Sequence, residues 1–138
     1  MNTTKITVQA TISAERKKVW DYYTNPKHIT KWNFADPSWQ CPKAENDLRI
    51  GGKYFGRMEA KDGSFGFDFE AIYSELVLGE KFTYDMMDGR KASVNFIANG
   101  NKTEVIVTFD AETENSVELQ RGGWQAILDN FKNYTESN

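Results

Sequence analysis

The chain has 138 residues, of which 14% are aromatic, and a net charge of −3 with its lysines and arginines dispersed among the acidic residues. That length suits one domain with a single core, and the dispersed charge offers no basic stripe for nucleic acid. Cys41 and His28 are the only residues of their kinds, which excludes a disulfide framework, a Cys/His zinc site and a Cys-Cys redox motif within one chain.

No apolar run has the length of a signal peptide or a membrane span, so the expected setting is the reducing cytoplasm, with no membrane insertion, metal or cofactor. Ile6, Val8, Ala10 and Ile12 alternate with polar residues and predict a strand buried on one face. Ser13 is placed to cap a helix from Ala14 to about Thr24, with Val19, Trp20 and Tyr23 on one side. Asn25-Pro26 ends it and starts a second short helix over Lys27 to Trp32.

From Asn33 to Asp47 two prolines and the lack of periodicity predict a loop, with Phe34 and Trp39 folding inward as in a binding loop or lid. Cys41 and His28 lack any motif of a nucleophilic pair; they read as a small buried hydrophobe and a surface imidazole.

Five strand-like segments follow, Lys53–Ala60, Phe65–Val77, Lys81–Met87, Lys91–Ala98 and Thr103–Asp110, separated by Gly, Asn and Asp turns. They predict an antiparallel meander whose inner face carries Tyr54, Met58, Phe65, Phe67, Phe69, Tyr73, Phe82, Tyr84, Met86, Val94, Phe96, Val105, Val107 and Phe109. Gly66 is the expected bend of the long second segment. The Arg49 to Gly52 stretch reads as a tight turn, since it matches no phosphate-binding fingerprint, with Arg49 free to pair with a nearby acid.

The last segment, Ser116 to Tyr134, spaces Val117, Gln120, Trp124, Ile127, Leu128, Phe131 and Tyr134 along one helical stripe. Gly122 and Gly123 each cost a helix interior about 1 kcal/mol relative to alanine, so they are expected to answer a close backbone approach or a slight bend. The order of elements gives an α+β fold: a curved antiparallel sheet of six to seven strands around a long C-terminal helix, with two short helices after the first strand.

The stretches VQATISAERKKVWDYYTNPKHITKW, DLRIGGKYFGRMEAKDG and GGWQAILDNF together resemble the family of homologues of the activator of the ninety-kilodalton heat-shock-protein ATPase. That family lies in the START-like superfamily, also called SRPBCC or Bet v-like. The resemblance implies a helix-grip fold with an internal cavity between sheet and helix, often for a hydrophobic or amphipathic small molecule. Transferred by position, it implies a lining of Trp32 and Trp39 at the mouth. Tyr54, Met58, Phe67, Phe69, Tyr84, Met86 and Phe96 come from the sheet, and Gln120, Trp124 and Leu128 from the helix. Tyr54, Tyr84 and Gln120 are the groups able to orient a ligand by hydrogen bonding. Two other readings are an enzyme of cyclase, dehydratase or hydrolase type, with Glu59, Asp36 or the tyrosines as its acid or base, and a module that stimulates a chaperone ATPase.

Overall fold

In the computed structural model, which describes residues 4–138, the alternating start forms β1 (Lys5–Ile12) and buries Ile6, Val8 and Ile12. Helix α1 (Arg16–Thr24) begins two residues later than the sequence suggests, because Ser13 does not cap it. The Ser13 amide instead donates to the Glu136 carboxylate at the far end of the chain. Helix α2 (Pro26–Trp32) follows directly, with the Asn25 side chain accepting from the Lys27 amide and proline in the first turn.

The expected loop after α2 is the main correction. Its second half is a strand, β2 (Trp39–Asn46), paired antiparallel with β3 (Lys53–Ala60). Its register slips between Gln40 and Lys43, where Cys41-Pro42 lies. A proline is tolerated in a strand at an edge or a bulge, and β2 supplies both, since it is the outermost strand of the sheet. The bulge and the proline also erase the alternation that identifies a strand in sequence.

The remaining strands are β4 (Gly66–Val77), β5 (Lys81–Met86), β6 (Lys91–Asn99) and β7 (Lys102–Asp110). All neighbours are antiparallel, in the order β1-β7-β6-β5-β4-β3-β2. The first strand therefore joins the last, with Ile6 opposite Phe109 and Val8 opposite Val107. In β4 the irregularity lies between Tyr73 and Glu75 rather than at Gly66. The extra residue, Ser74, switches the buried set from Ala71 and Tyr73 to Leu76, which then faces the core beside Phe82.

The inward face follows the expected alternation except at its outer corner. Phe65, in the β3–β4 hairpin, is 62% exposed, and Phe67, at the start of β4, is 44% exposed. Helix α3 (Val117–Ser137) runs unbroken across the concave face, capped by Ser116, which accepts from the Leu119 amide. Gln125 and Lys132 donate to the carbonyls of Gln9 and Thr11 and so fix α3 along β1. Leu128, Phe131 and Thr135 form its most deeply buried row. This sheet curled around a long helix is the helix-grip arrangement.

Gly122 and Gly123 have no close neighbour: a methyl on either meets nothing within 4 Å. Neither has a positive φ. The expectation of a close approach is therefore overturned, and the helix carries two unneeded entropic penalties. Gly122→Ala and Gly123→Ala should each raise the stability measured by urea unfolding, by about 0.5–1 kcal/mol.

Candidate functional site

Between the sheet and α3 lies a cavity of about 300 Å³, at the lower end of typical small-molecule sites. Its sheet wall is Tyr54 and Met58 from β3, Phe67 and Phe69 from β4, Tyr84 from β5 and Val107 from β7. The helix wall is Gln120, Trp124, Ile127 and Leu128, and the side near α1 and α2 is closed by Tyr23, Trp32 and Asn33. Arg90, Glu112 and Asn115 complete the lining. The β5–β6 turn and the β7–α3 connection that carry these three residues emerge at one end of the antiparallel sheet, as does the β3–β4 hairpin. One end of the cavity is thus strongly polar, and the walls elsewhere are mainly aromatic and aliphatic.

Packing explains why the wall is firm. Trp124 stacks on Phe109, with ring centroids 3.9 Å apart and planes 11° from parallel. Tyr54, Phe69 and Tyr84 form a triangle with centroid separations of 5.5–5.9 Å. Phe131, fully buried under α3, meets Tyr23 and Trp32 edge-on at 4.9 and 5.0 Å. Trp32 is held further by its indole N–H, which donates to the Tyr22 carbonyl, and Asn130 of α3 donates to the carbonyls of Trp32 and Phe34.

Three residues of the expected lining do not line the cavity. Met86 and Phe96 are buried in the core, where Phe96 packs on Trp20 and Tyr23. Trp39 sits outside, against the exposed rings of Phe65 and Phe67. Trp32 reaches the cavity as a deeply buried wall rather than as part of the mouth.

Gln120 lines the cavity, yet its amide is already committed. Its Oε1 accepts from the Glu112 amide, and its Nε2 donates to the carbonyls of Glu112 and Asn115. It fastens the connection before α3 and has no spare group pointed at a ligand. Residues missed by sequence reasoning are Tyr23, Asn33, Arg90, Val107, Glu112, Asn115 and Ile127. Tyr23, Val107 and Ile127 were legible from periodicity as inward-facing, but Arg90, Glu112 and Asn115 lie in turns, where no periodicity assigns a face.

The Arg90 guanidinium at the polar end is held by neighbouring acceptors. Arg90 donates from Nε to Asp88 and from Nη1 to the Asp110 carbonyl. Asp110 also receives Lys5 and the Lys91 amide. Burial alone would raise the Asp110 carboxyl, but these donors together hold it below its ordinary value. Inside the cavity, burial drives the phenols of Tyr54 and Tyr84 well above their ordinary value, and repulsion among neighbouring phenolates adds to this. They are protonated at every physiological pH.

Of the acid and base candidates of the enzyme reading, the tyrosines Tyr23, Tyr54 and Tyr84 line the cavity, whereas Glu59 and Asp36 stand elsewhere. Glu59 receives Arg57 and Gln40 on the outer face, and Asp36 is bound to Ser38 in the α2–β2 loop. His28 stacks on Tyr22 and shares a hydrogen bond with the Tyr134 hydroxyl at 2.8 Å. Cys41 is buried on β2 with Asn33 and Lys43 as its partners, so it and His28 form no pair. Among the described residues no helix is long and apolar enough to cross a membrane.

Comparison with known proteins places this geometry in a family. No curated protein matches the chain. Among solved structures, an AHSA1-like protein from Aeromonas hydrophila is 40% identical, with a TM-score of 0.90 over 97% of this chain and 93% of its own. A protein from Cytophaga hutchinsonii is 46% identical, with a TM-score of 0.84 over the same shares. A protein from Chromobacterium violaceum, at 22% identity, has a TM-score of 0.84 over 97% of this chain and 98% of its own, and shares the fold. Residues 13–136 match the family described as Activator of Hsp90 ATPase homolog 1-like protein, and the chain belongs to that family, with the START-like fold its sheet and helix display.

Proposed function

We propose that the protein binds a small hydrophobic or amphipathic molecule in the cavity between the sheet and α3. The observation that carries this reading is the cavity itself: about 300 Å³ walled mainly by aromatic and aliphatic side chains from both layers, with a few polar groups among them. Such a composition is typical of small-molecule sites, where apolar walls supply affinity and a few polar groups set orientation. Each apolar group that leaves water for this space contributes about 25 cal/mol per Å² of its surface. Filling the space with side chains would serve stability better, so a cavity of this size in a chain of 138 residues calls for a use.

An unbiased screen by heteronuclear NMR with a library of hydrophobic compounds tests the reading. The expected result is a subset of compounds that shifts the indole and methyl signals of Trp32, Trp124, Ile127 and Leu128. A library that leaves these signals unmoved at saturating solubility would contradict it.

A further inference from the structure

The chain has six tyrosines, and they divide into two groups by what their hydroxyls do. Tyr22 donates to the Asn138 carbonyl, Tyr73 donates to Asn46 Oδ1 at 2.8 Å, and Tyr134 shares a hydrogen bond with His28. Tyr23, Tyr54 and Tyr84 have no hydrogen-bond partner among the described residues, and all three line the cavity. Their oxygens are not sealed inside protein: the only sealed, unpartnered side-chain oxygen or nitrogen among the described residues is Thr135 Oγ1. Buried tyrosines ordinarily place the hydroxyl on an acceptor, and a phenylalanine would fill the same volume without the desolvation penalty. Tyr54 and Tyr84 are 8% and 7% exposed, with ring centroids 5.5 Å apart.

We propose that Tyr23, Tyr54 and Tyr84 form a donor cluster that recognises an uncharged hydrogen-bond-accepting oxygen, of the ketone, ester or amide kind, on an otherwise apolar ligand. This deepens the cavity-binding reading and rests on it. The phenols are protonated donors, as their buried setting requires. A carbonyl oxygen has two lone pairs and can engage two of them at once. A charged carboxylate fits less well, because no cation lies in the cluster and the Arg90 guanidinium at the polar end is already held by Asp88 and the Asp110 carbonyl. Placing an anion among neutral phenols in an aromatic cavity would sacrifice its hydration for uncharged donors.

The test uses two probes of matched shape, 2-acetylnaphthalene and 2-ethylnaphthalene, which differ by a carbonyl in place of a methylene, with 2-naphthoate as the charged arm. Dissociation constants are measured for the wild type and for Tyr54→Phe/Tyr84→Phe. The readout is the Kd of the ethyl probe divided by that of the acetyl probe, compared between the two proteins, so that the probes' different solubilities cancel. Loss of the hydroxyls should lower that ratio by about tenfold. The single variants carry the same readout at roughly threefold each, should the double variant fold poorly.

Folding is checked by thermal melts. Tyr54→Phe and Tyr84→Phe should leave Tm unchanged or raise it, whereas Tyr73→Phe, which breaks the bond to Asn46, should lower it. Both naphthalenes binding with an unchanged ratio would overturn the donor cluster and leave cavity binding standing. Naphthoate binding more tightly than the ketone would overturn the uncharged class. Failure of every probe to bind the wild type would overturn the cavity reading and this proposal with it.

Discussion

Phe131→Ala should destabilise the protein by about 3–5 kcal/mol, the range for deleting a buried aromatic ring, read as a fall in the urea midpoint without a change in slope. Phe131 is fully buried and occupies the point where α1, α2 and α3 meet, edge-on to Tyr23 of α1 and Trp32 of α2. Its removal leaves a void that three helices must close, and two of the freed neighbours are walls of the functional cavity. Ligand affinity should therefore fall with stability. Leu119→Ala, by contrast, changes an exposed position of the same helix and should stay within about 0.5 kcal/mol of the wild type.

Gly52→Ala should cost about 2–3 kcal/mol or more. A methyl there would collide with the Asp47 carbonyl oxygen and lie 2.9 Å from that of Arg49. Both are backbone atoms, so no side-chain rotation relieves the contact, and overpacking of this kind displaces the chain. The turn is also a junction. The Gly52 amide donates to the Arg49 carbonyl, the Gly52 carbonyl accepts from the Tyr73 amide, and the Gly51 amide donates to the Tyr73 carbonyl. Moving Gly52 thus loosens the β2–β3 corner and the strand that carries Tyr73. Gly51, whose φ is 84° with open space around it, should lose only about 1–2 kcal/mol on substitution by alanine, from the backbone conformation alone. The Arg49 side chain pairs with Asp47 at 2.9 Å, so the turn is structural, as its sequence suggests.

How much of this was legible in the sequence depended on whether a residue's environment is local or tertiary. The α3 stripe and the alternating strands repeat one choice many times, and each repeat places the next residue on the same face. Tyr54, Met58, Phe69, Tyr84, Trp124 and Leu128 therefore reach the cavity from the faces their spacing assigns. Strand β2 was illegible because its pairing with β3 overrides a proline and a bulge, and because an edge strand needs only one partner. Phe65 carries the pattern of an inward residue but lies in the β3–β4 hairpin, just before β4 begins, and is exposed there. Gly122 and Gly123 illustrate the opposite failure, since a costly residue type suggests a steric reason that the surrounding open space does not supply.

Gln120 shows the limit for chemistry. Its position on the helix stripe placed it at the cavity, but whether its amide is available depends on where the connection before α3 folds, and that connection consumes it. The tyrosines divide in the same way: Tyr73 and Tyr84 are alike in sequence, and only the presence of Asn46 beside Tyr73 separates a satisfied hydroxyl from a free one.

Intermolecular NOEs between bound 2-acetylnaphthalene and the protein locate a guest in the cavity rather than infer its place. Contacts are expected from the naphthalene protons to the rings of Phe69, Tyr84 and Trp124 and to the methyls of Ile127 and Leu128, the two faces of one cavity. Contacts confined to exposed apolar residues such as Ile50, Phe65 and Leu78, with none to Trp124 or Leu128, would contradict binding in the cavity.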